Sequence, residues 1–206
     1  MLLTANAECG IRIAVLALVA PVTLAAQANT PGVPRLNAEQ QIAAAVLPLP
    51  ADMRAGATVL GYGADGKLVS LRKGTGEMTC LAPNQSSPRF HVACYHQSLE
   101  PFMARGRALR ASGVTGDDVD STRFREIRAG TLTMPRTPSS LYTLTGEWAT
   151  FDASTATAKG ARSLFVVYIP FATSKTTGLP DKPVRGAPWL MGSGTPKAHI
   201  MFVPEM

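Results

Sequence analysis

The chain has 206 residues, a formal charge of +6 from 20 Lys and Arg against 14 Asp and Glu, and only three cysteines and three histidines. The positive residues are scattered, with no block of five like charges and no basic-aromatic repeat, so no nucleic-acid signature is present and the charge reads as a solubility feature. No His-x-His, His-Glu-x-x-His or Cys-x-x-Cys spacing occurs, which sets aside the common metal and redox motifs.

The first 28 residues read as an export signal. Arg12 precedes a short apolar run, Ile13 to Ala20, and Ala26-Gln27-Ala28 places small residues where a signal peptidase reads them. Cleavage is expected after Ala28. The run is too short to span a membrane comfortably, and Pro21 interrupts it, so no membrane span is expected after cleavage. The expected address is exported, either periplasmic or secreted. Residues 29–36 are rich in Pro and Gly and read as a disordered lead-in, and residues 37–206 as a single domain.

Asn37 and Gln40 have the spacing of a capping box, which starts a helix that Pro48 and Pro50 end. Its apolar face is small, and it is expected at the edge of something larger. From Ala57 the pattern becomes extended. Thr58 to Tyr62 and Lys67 to Arg72 flank Asp65-Gly66, a strong hairpin signal. Gly74-Thr75-Gly76 reads as the next turn, followed by strands over Glu77 to Leu81 and Arg89 to Tyr95. The expectation is a four-stranded antiparallel meander over residues 57–95.

Side chains alternate across a strand, so Met78 shares a face with Cys80, and Phe90 and Val92 share one with Cys94. Both cysteines therefore point with the apolar set. Opposite each other in an exported chain they are expected to be oxidised, closing a loop of about 15 residues that contributes about 3 kcal/mol by chain entropy.

His96 opens a helix over 97–111 with Leu99, Phe102, Met103 and Leu109 as its stripe, ended by Gly113. A second helix follows over 116–129, started by Thr115, with Asp120 and Arg123 as an ordinary surface pair. Leu141 to Leu144 is a short strand, residues 150–161 a loop, and Ser163 to Ile169 a central strand covered on both faces. Residues 172–188 form a long loop, functional or mobile rather than structural. Ala198 to Val203 is the last strand. The fold class expected is α+β, an antiparallel sheet of about six or seven strands with two helices on one face and one disulfide.

Met78-Thr79-Cys80, Ala93-Cys94-Tyr95, Phe165 to Phe171 and His199 to Pro204 together resemble a family of small exported bacterial proteins with a cysteine hairpin and a terminal strand ending in Val-Pro. No activity is established for that family. The resemblance implies export and a disulfide, and no functional residue carries over.

Two kinds of site remain. The leading expectation is a non-catalytic module that takes a small ligand or an envelope component through loops at 172–196, with Trp189, Met191 and Ser193 as binding residues. The alternative is a metal-dependent or other hydrolase using His96, Glu100 and His199, since His96 and Glu100 share a face at i and i+4. No metal ligand set and no cofactor motif is assigned. Trp148 is equally compatible with a loop anchor and a core plug. Gly192-Ser193-Gly194 precedes a strand rather than a helix, so it shapes a turn and not a nucleophile elbow.

Overall fold

A computed structural model describes residues 33–202. The leader expected at residues 1–28 and the first part of the lead-in lie outside the described residues. Helix α1 (Ala38–Ala45) begins with the capping box formed by Asn37 and Gln40, and a one-turn helix α2 (Ala51–Arg54) follows. Strands β1 (Thr58–Tyr62), β2 (Leu68–Arg72), β3 (Met78–Leu81) and β4 (Phe90–His96) come next. A 3-10 turn (Gln97–Leu99) leads into α3 (Glu100–Ala111), then α4 (Asp118–Arg128) and β5 (Ser139–Gly146). The minimal hairpin β6 (Phe151–Asp152) and β7 (Thr157–Ala158) precedes β8 (Arg162–Tyr168), α5 (Ser174–Thr177), β9 (Trp189–Met191) and β10 (His199–Phe202).

The architecture is α+β around one mixed sheet of eight strands in the order β2-β1-β3-β4-β5-β8-β10-β9. The expected meander is corrected in one pairing. β1 and β2 form the Asp65-Gly66 hairpin, and β3 and β4 pair antiparallel, but β3 lies beside β1 and parallel to it. The cause is the segment between β2 and β3. Instead of turning back along β2, it crosses the start of β1: Gly76 N donates to Gly56 O at 2.8 Å and Gly74 N to Thr58 Oγ1 at 3.1 Å. A Cβ on Gly74 would lie 2.1 Å from Gly56 O, so only glycine permits this crossing.

Both faces of the sheet are covered, though not equally. On one face α3 and α4 pack over Tyr95, Val166 and Tyr168, as the expected pair of helices. On the other face α1 packs across β2, β1 and β4, from the edge strand toward the middle of the sheet, where Ala44 and Ala45 are small enough to approach Phe90 and Cys94 closely. The Cys80–Cys94 disulfide lies under α1, its sulfurs 2.06 Å apart and both residues fully buried. Cys94 Sγ sits 3.1 Å from Ala45 O; bridged sulfur carries no hydrogen, so this is a packing contact.

Four further expectations change. Leu36 is buried, and Val33 and Leu36 join the α1 core, so ordered packing begins inside the segment 29–36. Thr115 does not start α4: Asp117 holds the cap position, without a side-chain cap bond. The run at β8 is covered on one face only, and Phe165 on the other is 37% exposed beside Phe202 at 38%. The segment 172–188 carries α5, closed at its start by Thr173 and Thr176.

Candidate functional site

The residues expected to form a hydrolase are held apart and individually engaged. His96 ends β4, where its Nδ1 takes the N–H of Ser98 at 3.2 Å and lies 2.8 Å from Ser98 Oγ, capping the 3-10 turn. Glu100 does not meet His96. Its two oxygens take Arg107 Nη2 at 2.5 Å and the Tyr95 hydroxyl at 2.5 Å, and Arg107 Nη1 donates to that hydroxyl at 2.7 Å. Burial, then the bond to Glu100, pushes the Tyr95 phenol well above its ordinary range. His199 stands on β10, beyond β5 and β8, roughly 14 Å away at three strand spacings. Among the described residues no three His, Cys, Asp or Glu side chains gather as a metal ion would need.

His199 belongs instead to a buried clamp that joins α3, α4 and β10. Its Nδ1 lies 2.6 Å from Lys197 O; a carbonyl only accepts, so Nδ1 carries the proton and neutral Nε2 is the acceptor. The ring stacks on Tyr168 at 5.1 Å, and Tyr168 meets Phe102 edge-on at 6.5 Å. The Arg123 guanidinium lies 3.7 Å over the Phe102 ring and donates to Phe102 O at 3.1 Å. Arg123 also pairs with Asp120, which takes Lys197 Nζ at 2.7 Å. The pair expected on the surface is therefore half-buried, with Arg123 only 4% exposed and Asp120 31%. Gly106 makes the room: a Cβ there would sit 2.8 Å from Arg123 Nη1.

The charges of the clamp follow from its surroundings. Burial works against ionisation of Asp120, but the bonds from Lys197 and Arg123 outweigh it and hold its carboxyl below the ordinary value. Burial lowers His199, and Lys197 adds to that, against the bond to the Lys197 carbonyl. Burial pushes the Tyr168 phenol up to about 12. The charged groups of this cluster are turned on one another, apart from Arg123 Nε, which is buried without a hydrogen-bond partner among the described residues.

The expected binding loop is only partly a surface. Trp189 is half-buried on β9, Leu190 behind it is fully buried, and Met191 and Ser193 are exposed at the sheet edge. They line neither of the two concavities described below. Trp148 is a core plug: it is buried, meets Phe90 edge-on at 5.6 Å, and donates Nε1 to Ser87 O at 2.9 Å.

Besides a depression of about 390 Å³ lined by Thr150, Asp152, Thr155, Thr157 and Lys159, a concavity that gathers polar groups lies at the other end of the sheet. It is a groove of about 410 Å³. One wall is the approach to α1, from Val33 to Ala38, with Gln41. The second is the β1–β2 turn with Leu71, and the third is the loop Asn84, Gln85 and Ser86. Gln41 builds it. Its Oε1 accepts the Tyr62 N–H at 2.7 Å, and its Nε2 donates to Tyr62 O at 3.1 Å and to Leu36 O at 3.3 Å. β3 has ended before Tyr62, so the amide of Gln41 takes the place of the missing strand. Gln85 Oε1 accepts Leu36 N at 2.8 Å and ties the loop to the α1 approach. A sequence reading misses this site because its amides come from three distant segments and match no motif. The one signal was Gln41 itself, a polar residue on the inward face of a short helix.

Comparison with protein-family models, with curated proteins and with solved structures returned no significant match for this chain.

Proposed function

We propose that the chain is an exported, non-catalytic module that binds a small ligand in the groove between the α1 approach, the β1–β2 turn and the Asn84–Ser86 loop. The observation that carries this reading is the groove's construction. Its three walls are tied together by the amides of Gln41 and Gln85 bonded to backbone groups, so the concavity stands preformed and little ordering remains for a ligand to impose. Its volume of about 410 Å³ falls in the range of small-molecule sites. The hydrolase alternative has less support, since His96, Glu100 and His199 are held apart, His96 Nδ1 in a cap, Glu100 in an Arg–Tyr pair and His199 Nδ1 on a backbone carbonyl. Export is supported by the disulfide, which persists in oxidising compartments, and by the signal pattern at residues 1–28. Among the described residues no helix is long and apolar enough to cross a membrane.

The test is a thermal-shift screen of small polar molecules on residues 29–206 and on the same chain carrying Ala38→Trp. Ala38 is exposed at the groove wall, so the indole fills the groove without entering the core. A ligand at a hundredfold excess over its Kd stabilises the native state by about 2.7 kcal/mol, several degrees in Tm. The expected result is a set of compounds that raise the Tm of the unsubstituted chain and not of Ala38→Trp. Compounds that stabilise both chains equally would place binding elsewhere.

A further inference from the structure

We infer that the groove is built for a small carboxylate with a short apolar body, an inference that rests on the groove being the ligand site. Backbone N–H groups fix the orientation of the side-chain carboxamides at its rim. Asn37 Oδ1 accepts the N–H of Gln40 at 2.9 Å, Asn84 Oδ1 that of Ser86 at 2.9 Å, and Gln85 Oε1 that of Leu36 at 2.8 Å. A backbone N–H can only donate, so each bond fixes which end of the amide is oxygen. Each oxygen is thereby turned to the backbone with one lone pair engaged, and the three NH₂ groups face outward as donors at the rim.

Gln41 Oε1 is likewise turned to the backbone, accepting the Tyr62 N–H. The lining includes Arg35 and no Asp or Glu. Asp65 sits in the adjoining turn, and its carboxylate is already held by the N–H of Lys67 at 3.1 Å and by Lys67 Nζ at 3.5 Å. The rim is therefore rich in hydrogen-bond donors and lined by no carboxylate, while the hydroxyls of Ser86 and Tyr62 can both donate and accept. A sugar hydroxyl would make only neutral bonds to these donors. A carboxylate only accepts, and its bonds to N–H donors are of the stronger, charge-assisted kind. Beside the amides, Val33, Pro34 and Leu71 supply apolar surface for a short hydrocarbon body.

Calorimetric titration of residues 29–206 with hexanoate tests this, with N-acetylglucosamine as the neutral polyol. The deciding variant is Asn84→Asp with Gln85→Glu. Each carboxylate keeps one oxygen for its backbone N–H and replaces the outward donor with an acceptor, so the fold is retained and the rim is inverted. The expected result is saturable hexanoate binding, abolished by Ala38→Trp and weakened at least about tenfold by the double substitution, with unchanged circular dichroism. Hexanoate affinity that survives the double substitution would overturn the inference. N-acetylglucosamine binding in preference to hexanoate, and lost in Ala38→Trp, would overturn the ligand class while leaving the groove as the site. Binding of neither probe would overturn the ligand class, and if the thermal-shift screen also finds no groove-dependent compound, the site falls with it.

Discussion

Arg123 lies buried over an aromatic ring with its charge balanced by Asp120, and Asp120 is shared with Lys197 from the far end of the chain. Removing the guanidinium strands part of this network. Arg123→Met keeps much of the volume and loses the ring contact and the bond to Phe102 O; urea unfolding should show a loss of about 2–3 kcal/mol. His199 gives the clamp a pH dependence. Its folded pKa is depressed, so the unfolded chain takes up a proton first as pH falls below the ordinary His value near 6.5. Stability should therefore fall as pH drops through that point toward the depressed value, and His199→Phe, which keeps an aromatic stack on Tyr168, should flatten this part of the curve. The depressed carboxyl of Asp120 acts lower, with stability lost below about pH 4 as it protonates. None of this was legible in Asp120 and Arg123 themselves. An i, i+3 pair looks the same on any helix, and burial here depends on Gly106 of a different helix leaving space for the guanidinium.

The crossing between β2 and β3 decides the topology of the first half of the sheet. Gly74→Ala would press a methyl group into Gly56 and Ala57, and the expected cost is about 2 kcal/mol or more by thermal or urea unfolding. Gln41→Leu should cost a comparable amount, because the backbone groups of Tyr62 and the carbonyl of Leu36 lose their partner in a part-buried place. The disulfide locks β3 to β4 beneath α1. Replacing Cys80 and Cys94 by alanine should lower stability by about 3 kcal/mol, and the unreduced, unfolded wild-type chain should yield no free thiol from this pair. Alternation of side chains was enough to bring the two cysteines together, and Asp65-Gly66 and the Asn37 box were enough to place a turn and a helix start. Strand partner choice was not readable. A short Gly-rich link fits a hairpin as well as a crossing, and only the approach to Gly56 distinguishes them.

At the scale of the molecule, the sheet separates two polar assemblies of opposite character. On the α3 and α4 face the ionisable groups are paired with one another and hold elements together. At the α1 end the amides of Gln41 and Gln85 brace the walls of a groove, and the Asn37, Asn84 and Gln85 nitrogens remain available to something from outside. The histidines and loop aromatics that stand out in the sequence lie in the first assembly, in a cap, in the core or at the sheet edge. The most direct check is a nitrogen–proton correlation spectrum of residues 29–206, including side-chain amides, recorded with and without a compound that raises the Tm. The account predicts that the largest shifts cluster at residues 33–38, 62–66 and 84–86 and at the amides of Asn37, Asn84 and Gln85. Shifts centred on Trp189, Met191 and Ser193, or on His96 and His199, with the groove unmoved, would contradict it.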